Sequence, residues 1–459
     1  MDINIKQLND LNKDDLRIEA EFYQKKYVNL IQLLNNHKCV NLSELVSKPI
    51  QTGHTPSMNN SSFYGGTIKL IKTDNLRVNE ICPPFAHYLT KLGNDEIKRT
   101  ELQENDIITT IIGATYSVIG RSCIIHEDIL PANINQNIAH IRPDRNKILP
   151  EYLNVYLNSK YGKLFLEYLS RQMEQVNLNC NEVGMVKVPI FTDVFQKKIE
   201  TKVKSAYSKK TESQHLYASA ENQLLEELGL KDWKPENQNV NVKTLKESFL
   251  SSGRLDAEYY QSKYDALFTQ LSKYDCDTLN KIVNTKKSVE PGSDAYQDNG
   301  IPFIRVSDVD KFGISEPKIF LSSDDFDLQE LRPKKDTILL SKDGSVGIAY
   351  KVEKDLDCIT SGALLHLTVF NKDYNPDYLT LVLNSKIVKM QSERDANGAI
   401  IQHWKPSEIE QVIIPKLAKT IQDDISSKIQ KSFALKAESK RLLEEAKLLV
   451  EREIEKGGK

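Results

Sequence analysis

The sequence predicts an α+β protein made of two similar domains, each followed by a long helix, with the two helices packed against each other. Three observations carry this prediction. The chain contains a long internal repeat, each half mixes strand and helix signals, and each half ends in a ladder of apolar residues at helical spacing. With 459 residues, the chain is long enough for two or three domains with a core each.

The internal repeat covers most of the chain. Residues 4–27 return at 241–264 with ten identical positions, an offset of 237. A later part repeats at an offset of 226, where residues 150–160 return at 376–386. A repeat of about half the chain is too long for a solenoid module and indicates a duplicated domain. The duplication predicts a pseudo-two-fold molecule and a partner with two related sites.

Each globular part mixes short strands with amphipathic helices. Pro150 and Pro376 stand at the predicted first turns of two equivalent helices. Apolar runs predict strands at 68–71, 107–112, 123–125, 301–306, 337–340 and 364–369. This mixture predicts the α+β class.

Two apolar ladders, with alternating steps of four and three residues, predict that the long helices pair as an antiparallel coiled coil. The alternative is that each helix packs on its own domain. Thirty residues of helix would span about 45 Å and would hold the two domains that far apart. The predicted seam consists of Ile199, Val203, Tyr217 and Leu224 in the first helix and Ile425, Ile429, Leu443 and Val450 in the second.

The composition is that of a globular protein, with 27% charged residues and a net charge of -2. The charge alone does not indicate nucleic acid, because a basic surface would have to be local. The start lacks signal-peptide features and no apolar run approaches the ~20 residues of a membrane span, so the expected compartment is the cytoplasm. The six cysteines show no Cys-x-x-Cys spacing, which argues against a disulfide framework and a zinc site.

Motifs that suggest catalysis fail on inspection. Asn375-Pro-Asp-Tyr378 is close to the signature of amino-methyltransferases, but its counterpart, Leu149-Pro-Glu-Tyr152, lacks the amide, as a helix start would. The loop from Gly113 to Gly120 has six residues between its glycines, where a phosphate-binding loop has four. No catalytic or metal-binding set is predicted, and the sequence indicates a binding protein.

Hydrogen-bonding side chains cluster on predicted loops at corresponding places in both copies. Such side chains pair with base edges and phosphates, although ordinary solvated loops are the alternative. The copies match in their framework and diverge in these loops, as two domains reading different sequences would. The candidates of the first copy are Thr52, His54, Thr55, Ser57, Lys69, Lys72, Asn75, Arg121, Asn135, Asn137, Gln172, Asn177 and Asn179. Those of the second copy are Lys286, Lys287, Arg305, Ser307, Lys342, Ser361, Gln402, His403, Trp404 and Lys405.

The candidates divide by chemistry. Trp404 would wedge between bases or stack on them, with a place in the core as its alternative. Phosphate contacts are expected from Lys69, Lys72, Arg121, Lys286, Arg305 and Lys342. Contacts to base edges are expected from Gln172, Asn177, Asn179, Gln402, His403 and Lys405.

At these residues the chain resembles the specificity subunit of type I restriction-modification systems, over nearly its whole length. The resemblance lies in Arg17-Ile-Glu-Ala-Glu-Phe-Tyr23 and its copy at 254–260, and in Gly53-His-Thr-Pro-Ser57, Asn135-Gln-Asn137 and the run 301–309. The second copy lacks the Gly-x-Thr-Pro-Ser motif of the family. Each motif alone is weak, but their order, in duplicate, is specific.

The resemblance implies a domain plan and a function. It implies a non-catalytic DNA reader that recognises a bipartite target with a fixed spacer and docks two methyltransferase subunits and, through them, restriction subunits. S-adenosylmethionine would act in the methyltransferase, ATP and magnesium would act in the restriction subunit, and this chain would hold no cofactor. The implied parts are an N-terminal conserved segment (1–27), a target-recognition domain (28–195), a central long helix (196–230), a linker with a second copy of the N-terminal segment (231–264), a second target-recognition domain (265–415) and a C-terminal long helix (416–459).

Two other readings of the chain stay open. It is also compatible with an S-like subunit of a related system in which nuclease and methyltransferase are fused in a separate chain. From another class, it is compatible with a protein-binding scaffold whose duplicated domains hold a symmetric partner. A free-standing adenine methyltransferase is disfavoured, because no glycine-rich loop suited to S-adenosylmethionine is present.

Overall fold

The computed structural model describes residues 20–172, 175–235, 240–326, 328–398 and 401–457. The first copy of the repeated N-terminal motif therefore lies largely outside the described residues. The chain divides into two compact units, Met1–Lys209 with Ala437–Lys459, called unit 1, and Lys210–Lys436, called unit 2. Each unit contains one globular domain and parts of the two long helices. The fold is α+β, as predicted.

Unit 1 is built around a four-stranded antiparallel sheet of order β2 (Gln51–Thr52), β11 (Ile138–Ile141), β7 (Ile107–Thr110) and β9 (Ser122–Ile124). A second sheet has the order β10 (Ala132–Ile134), β3 (Tyr64–Ile71) and β6 (Tyr88–Leu89), and a third has the order β12 (Arg171–Gln172), β13 (Val176–Asn177) and β8 (Ile112–Gly113). Its helices are α1 Lys25–Asn35, α2 Lys91–Glu96, α3 Pro150–Asn158, α4 Lys160–Leu169, α5 Cys180–Gly184 and the start of α6 Asp193–Glu227. Its strands are β1 Cys39–Asn41, β2 Gln51–Thr52, β3 Tyr64–Ile71, β4 Leu76–Arg77, β5 Glu80–Ile81, β6 Tyr88–Leu89, β7 Ile107–Thr110, β8 Ile112–Gly113, β9 Ser122–Ile124, β10 Ala132–Ile134, β11 Ile138–Ile141, β12 Arg171–Gln172, β13 Val176–Asn177 and β14 Lys187–Pro189.

Unit 2 repeats this plan with a four-stranded sheet of order β16 (Val283–Lys287), β24 (Leu364–Val369), β21 (Ile338–Ser341) and β22 (Ala349–Lys351). Its second sheet has the order β20 (Phe320–Leu321), β17 (Ile301–Ile304) and β23 (Ile359–Thr360). Its helices are α7 Phe249–Ser252, α8 Ser262–Leu271, α9 Ser323–Phe326, α10 Pro376–Asn384, α11 Lys386–Asp395, α12 Pro406–Ile409 and the start of α13 Lys419–Lys456. Its strands are β15 Cys276–Thr278, β16 Val283–Lys287, β17 Ile301–Ile304, β18 Val309–Asp310, β19 Gly313–Ile314, β20 Phe320–Leu321, β21 Ile338–Ser341, β22 Ala349–Lys351, β23 Ile359–Thr360, β24 Leu364–Val369 and β25 Ile413–Pro415.

The duplication extends to individual contacts. A proline opens α3 and α10, because its missing N–H costs nothing in a first helical turn. Tyr152 in α3 donates its hydroxyl to the carbonyl of Pro189, at 2.6 Å, and Tyr378 in α10 donates to the carbonyl of Pro415, at 2.7 Å. Each tyrosine ties its helix to the last strand before a long helix. These matched contacts confirm the duplicated fold, while the pseudo-two-fold relation and the domain boundaries stay predictions.

Helices α6 and α13 run antiparallel where they meet in each unit. In unit 1, Lys202 of α6 forms an ion pair of 2.8 Å with Glu445 of α13, and Ser439 donates to the carbonyl of Ala206. In unit 2, Lys431 forms an ion pair with Glu212, and Gln223 donates to Asp424. Residue numbers rise along one helix as they fall along the other, which confirms the predicted antiparallel pairing.

The seam between the helices is continuous with the domain cores. Ile199, Val203 and Val450 are buried in the core of unit 1, and Tyr217, Leu224, Ile425 and Ile429 are buried in that of unit 2. Pairing of the helices and packing of each helix on its own domain are therefore both present, because the same residues face the partner helix and the domain. Leu443 is half-buried, and its neighbour Leu442 is buried more deeply.

Two serines, Ser213 of α6 and Ser432 of α13, face each other in the seam of unit 2. Ser213 donates to the carbonyl of Ser432, and Ser432 donates to the carbonyl of Ser213, both at 2.7 Å. Both serines are buried. Small side chains let the two helix backbones approach closely, and the reciprocal hydrogen bonds satisfy the hydroxyls.

We expect Ser213→Leu to destabilise the chain by about 1 to 3 kcal/mol, because a larger side chain overpacks the seam and leaves the Ser432 carbonyl without the hydroxyl that donates to it. Urea unfolding followed by circular dichroism measures the change. Ser208→Leu is the matched control, since Ser208 lies exposed on the same helix. Equal stability of the two variants would contradict the described seam.

Candidate DNA interface

Three backbone hydrogen bonds bring the candidate loops of unit 1 together. The amide of Ile111 donates to Asn137, the amide of Leu178 donates to Ile111, and the amide of Asn135 donates to Ile71, at 3.0, 2.8 and 3.1 Å. Segments that are far apart in the sequence thus lie side by side. We call this arrangement the loop frame.

Unit 2 has the same loop frame. The amide of Lys342 donates to Ala363, that of Trp404 donates to Lys342 and that of Ser361 donates to Ile304, at 2.9, 2.8 and 2.8 Å. Ser361 corresponds to Asn135 and Trp404 to Leu178, both at the offset of 226 found in the sequence. The frame is therefore a property of the repeated fold.

A short hairpin borders the frame in both units. In unit 1, Asn177 on β13 pairs with Arg171 on β12 and with Ile112 on β8. In unit 2, His403 bridges to Asn397 and to Asp343 in the same way. Asn177 and His403 occupy equivalent, exposed positions. Different side chains thus stand at one place of the same scaffold.

The first loop of unit 1 contributes to the same cluster. Thr55 donates its hydroxyl to the side-chain carbonyl of Gln136 at 2.9 Å, which joins the predicted Gly-His-Thr-Pro-Ser loop to the Asn-Gln-Asn turn. His54 and Ser57 are exposed nearby in the sequence. Thr52 lies on β2, and its carbonyl accepts from the guanidinium of Arg99. The structure therefore brings two of the predicted motifs together.

Several candidates serve the fold. Asn75 is buried and donates to the carbonyls of Cys82 and Pro84, both at 2.9 Å. Asn135 is buried, and its side chain accepts from the amide of Asn137. Asn179 caps the start of α5 by accepting from the amide of Glu182. These contacts give each of the three amides a structural role.

Trp404 lies in the core of unit 2, with 1% of its surface exposed. Its counterpart Leu178 is equally buried in the core of unit 1. The indole Nε1 of Trp404 has no hydrogen-bond partner within the part of the chain that the structure describes. The core alternative for Trp404 thus agrees with its position, and wedging between bases would require it to leave the core.

Six of the candidate cations fall into two groups according to their partners. Lys69 and Lys286 donate to the backbone carbonyls of Ile129 and Glu330, at 2.9 and 2.7 Å. Arg121 donates to the carbonyl of Ser117. A carbonyl carries no net charge, so the positive charge of these three side chains stays uncompensated by its partner.

In the second group, carboxylates face the cations. Lys287 forms an ion pair of 2.9 Å with Glu290, Lys342 pairs with Asp343, and Arg305 lies 3.7 Å from Asp308. These acids cancel much of the local charge.

The remaining candidates are mostly exposed. Lys72 is half-buried. The pKa of His87 is lowered first by the burial of His87 itself and then by the positive charge of Lys72. Ser307 and Gln402 are exposed, and Ser361 is half-buried. The Lys405 side chain is exposed, with its amide bonded to Glu408. The backbone of Gln172 lies on β12, and its side chain is outside the described residues.

Two residues of the hairpin regions lie outside the set of candidate residues. Arg171 stands opposite Asn177, with more than half of its side chain exposed and its Nε 3.1 Å from Glu182. Asp343 contacts both Lys342 and His403, whose Nδ1 lies 2.8 Å from it. Aligning the two copies at the offset of 226 places Arg171 opposite Asn397, the residue that bridges to His403. This alignment would have pointed to Arg171.

The two frames also differ beneath the surface. His140 in unit 1 is buried 2.7 Å from Asp106, which also binds Arg142. Burial alone would raise the pKa of Asp106, but hydrogen bonds from Arg142 and His140 outweigh it and lower that pKa. The equivalent His366 in unit 2 meets Thr360 instead, and burial lowers its pKa to about 4. The same strand position thus carries an ionic network in one unit and a neutral contact in the other.

A duplicated chain that presents different exposed side chains on one repeated frame has the form of a recognition protein. Among the described residues, no group of three or more His, Cys, Asp or Glu is placed to hold a metal ion. None of the described helices is long and apolar enough to cross a membrane.

Comparison with known proteins agrees with this form. No family model matches the chain. The sequence is similar to the type I restriction enzyme EcoBI specificity subunit of Escherichia coli, with 28% identity over 141 residues. This match covers 31% of the chain and only 29% of that relative. It confirms the resemblance to type I specificity subunits that the repeated motifs indicated.

Two solved structures are also similar over most of the chain. The S subunit of a type I restriction-modification system from M. genitalium has 14% identity and a TM-score of 0.39, and it covers 91% of this chain and 94% of its own. The HsdS subunit from Thermoanaerobacter tengcongensis has 17% identity and a TM-score of 0.30, with 91% and 96% covered.

We expect Trp404→Ala to destabilise the chain by about 3 to 5 kcal/mol, because it removes a large buried ring. Gln402→Ala, two residues away and exposed, should change stability by less than about 0.5 kcal/mol. Trp404→Phe keeps a buried ring and removes an N–H that has no described partner, so it should cost far less than alanine. Urea unfolding measures all three, and a stable Trp404→Ala variant would argue against a core role.

Proposed function

We propose that this chain is the specificity subunit of a type I restriction-modification complex and reads a bipartite DNA target with a fixed spacer. The observation that carries the proposal is the repeated loop frame. The same three backbone hydrogen bonds hold the frame in both units, while the exposed side chains on it differ. Such a scaffold suits the reading of two different half-sites.

Base contacts are assigned to exposed polar side chains at the hairpins. Asn177 in unit 1 and Gln402 with His403 in unit 2 carry amide and imidazole groups, which pair with base edges in the major groove. Arg171, exposed opposite Asn177, joins them as a candidate for a guanine edge or a phosphate.

Phosphate contacts are assigned first to the cations that face carbonyls. Lys69, Arg121 and Lys286 donate to backbone carbonyls, which carry no net charge, whereas Lys287 and Lys342 face carboxylates. A phosphate gains most from the first group, because it need not compete with a protein carboxylate.

The long helices are assigned two roles. They would fix the gap between the half-sites, and they would offer a rigid surface to two methyltransferase subunits, through which restriction subunits join. Helices of 35 and 38 residues, α6 and α13, are rigid elements suited to a ruler. S-adenosylmethionine would serve in the methyltransferase, with ATP and magnesium in the restriction subunit. Adenine methylation requires the base to be flipped out, and a bound reader assists by holding the duplex.

The experiment is to map N6-methyladenine across the genome in cells that carry the neighbouring methyltransferase gene, with and without this chain. We expect a split motif with one fixed gap that appears only with the chain. If the methyltransferase is expressed and active but methylation does not depend on the chain, the proposal is wrong and a protein-binding scaffold becomes the better reading. If the gapped methylation requires a fused nuclease-methyltransferase, the chain belongs to the related type of system.

We expect Lys286→Ala to weaken DNA binding by the assembled complex at every sequence and to reduce the slope of log affinity against log salt by about one. Lys287→Ala is the matched control. Its neighbouring Glu290 already balances the charge, so the salt slope should change much less. Fluorescence anisotropy over a range of salt concentrations measures both variants. Equal slopes in the two would refute the ranking of the cations.

A further inference from the structure

The hairpin of β18 and β19 touches both long helices within unit 2. Val309 pairs with Ile314 and Asp310 with Gly313, which leaves Lys311 and Phe312 at the tip. Gly313 has a φ of 152°, a conformation that other residues rarely adopt. The amide of Phe312 donates to the carboxylate of Asp310 at 2.7 Å. The tip therefore has a defined shape.

Phe312 packs among aromatic and cationic side chains of the helices. Its ring centroid lies 4.9 Å from that of Tyr217 on α6, in an edge arrangement, and 6.3 Å from that of Phe433 on α13. The Lys436 ammonium, also on α13, lies 4.1 Å from the same centroid. Edge-to-face rings and a cation over a ring are specific geometries that resist sliding.

Lys311 adds a polar contact beside this ring. Its ammonium lies 2.8 Å from Glu221 of α6 and 4.4 Å from the ring centroid of Tyr217. The hairpin tip thus meets α6 through Tyr217 and Glu221, and it meets α13 through Phe433 and Lys436.

The hairpin directly follows a candidate DNA segment. Residues 305–308, which include Arg305 and Ser307, connect β17 to β18. The amide of Ser315 donates to the carbonyl of Asp308 at 2.8 Å, and the amide of Arg305 donates to the Asp308 carboxylate at 2.9 Å. These bonds join the candidate segment to the hairpin, so a shift of the tip on the helices shifts Arg305 and Ser307 as well.

Unit 1 shows that this contact is not a requirement of the fold. The equivalent hairpin of β4 and β5 carries Val78 and Asn79 at its tip. The side chain of Asn79 accepts from Asn154 and Asn158 of α3, and Val78 is 41% exposed. In that unit, Tyr207 of α6 stacks on His126, with ring centroids 3.4 Å apart. The attachment of domain to helix has therefore diverged between the copies.

We propose that Phe312 is a positioning residue that fixes the second recognition domain on the helices and thereby restricts the target to one spacer length. This inference rests on the proposed function, because a spacer exists only for a bipartite DNA target. Phe312 itself touches no DNA in this proposal. It acts by holding Arg305 and Ser307 at one place relative to α6 and α13.

The test is N6-methyladenine mapping in cells that carry the neighbouring methyltransferase gene and one variant of the full chain. Wild type should methylate one spacer length. With Phe312→Ala, sites one base pair shorter or longer should gain methylation by about fivefold to tenfold relative to the main spacer, with the same half-site bases. Phe370→Ala is the matched control, since Phe370 is 51% exposed in the same unit, and it should keep the wild-type pattern.

Phe312→Leu, which keeps an apolar side chain but loses the ring geometry, separates positioning from folding. We expect it to broaden the spacer less than alanine does while methylation at the main spacer persists. Wild-type spacer selectivity in both variants would overturn the inference. So would a uniform loss of methylation at all spacers in Phe312→Ala together with wild-type selectivity in Phe312→Leu, because this marks a folding residue. If wild type itself gives no chain-dependent gapped motif, the proposed function fails, and the inference fails with it.

Discussion

The packing of α6 against α13 is the interaction on which the rest of the structure depends. In unit 1, Ile199 and Val203 of α6 share one core with Val450 and Ile454 of α13 and with the domain. In unit 2, Tyr217 and Leu224 share a core with Ile425 and Ile429. Each domain core is therefore completed by two helices that come from distant parts of the chain. The burial of apolar surface that stabilises the domain therefore also stabilises the helix pair.

The loop frame separates support from recognition. Backbone groups supply the hydrogen bonds that hold the frame, so side chains on it are free to differ without loss of the fold. This division accounts for Leu178 and Trp404, which differ in size and yet both fill a core. It also accounts for Asn177 and His403, which stand at one position with different chemistry. The proposed reading function requires this combination of a fixed backbone and variable side chains.

Much of the fold followed from periodicity and repetition. The ladders predicted the antiparallel helices because apolar spacing directly reflects helix geometry. Prediction was weaker where residues distant in the sequence decide which side chain is buried. The ladder placed Leu443 in the seam, but Leu442 is the more buried residue. The sequence did not predict that Lys287 pairs with Glu290 or that Lys69 donates to a carbonyl. The sequence of a loop does not determine which acceptor a long cationic side chain meets. Asn75 looked like a ligand-binding amide, and its two carbonyl partners appear only once the chain turns back at Cys82 and Pro84.

The different residues at Asn177 and His403 have a consequence for orientation. A reader with two identical units would accept a palindrome, and it would bind that palindrome equally well in either direction. Here the matched positions carry an amide in one unit and an imidazole in the other. Under the proposed function the preferred target is therefore not its own reverse complement, and the bound protein has a defined heading along the duplex. The molecules assembled on it would inherit that polarity, so upstream and downstream DNA would not be equivalent to them.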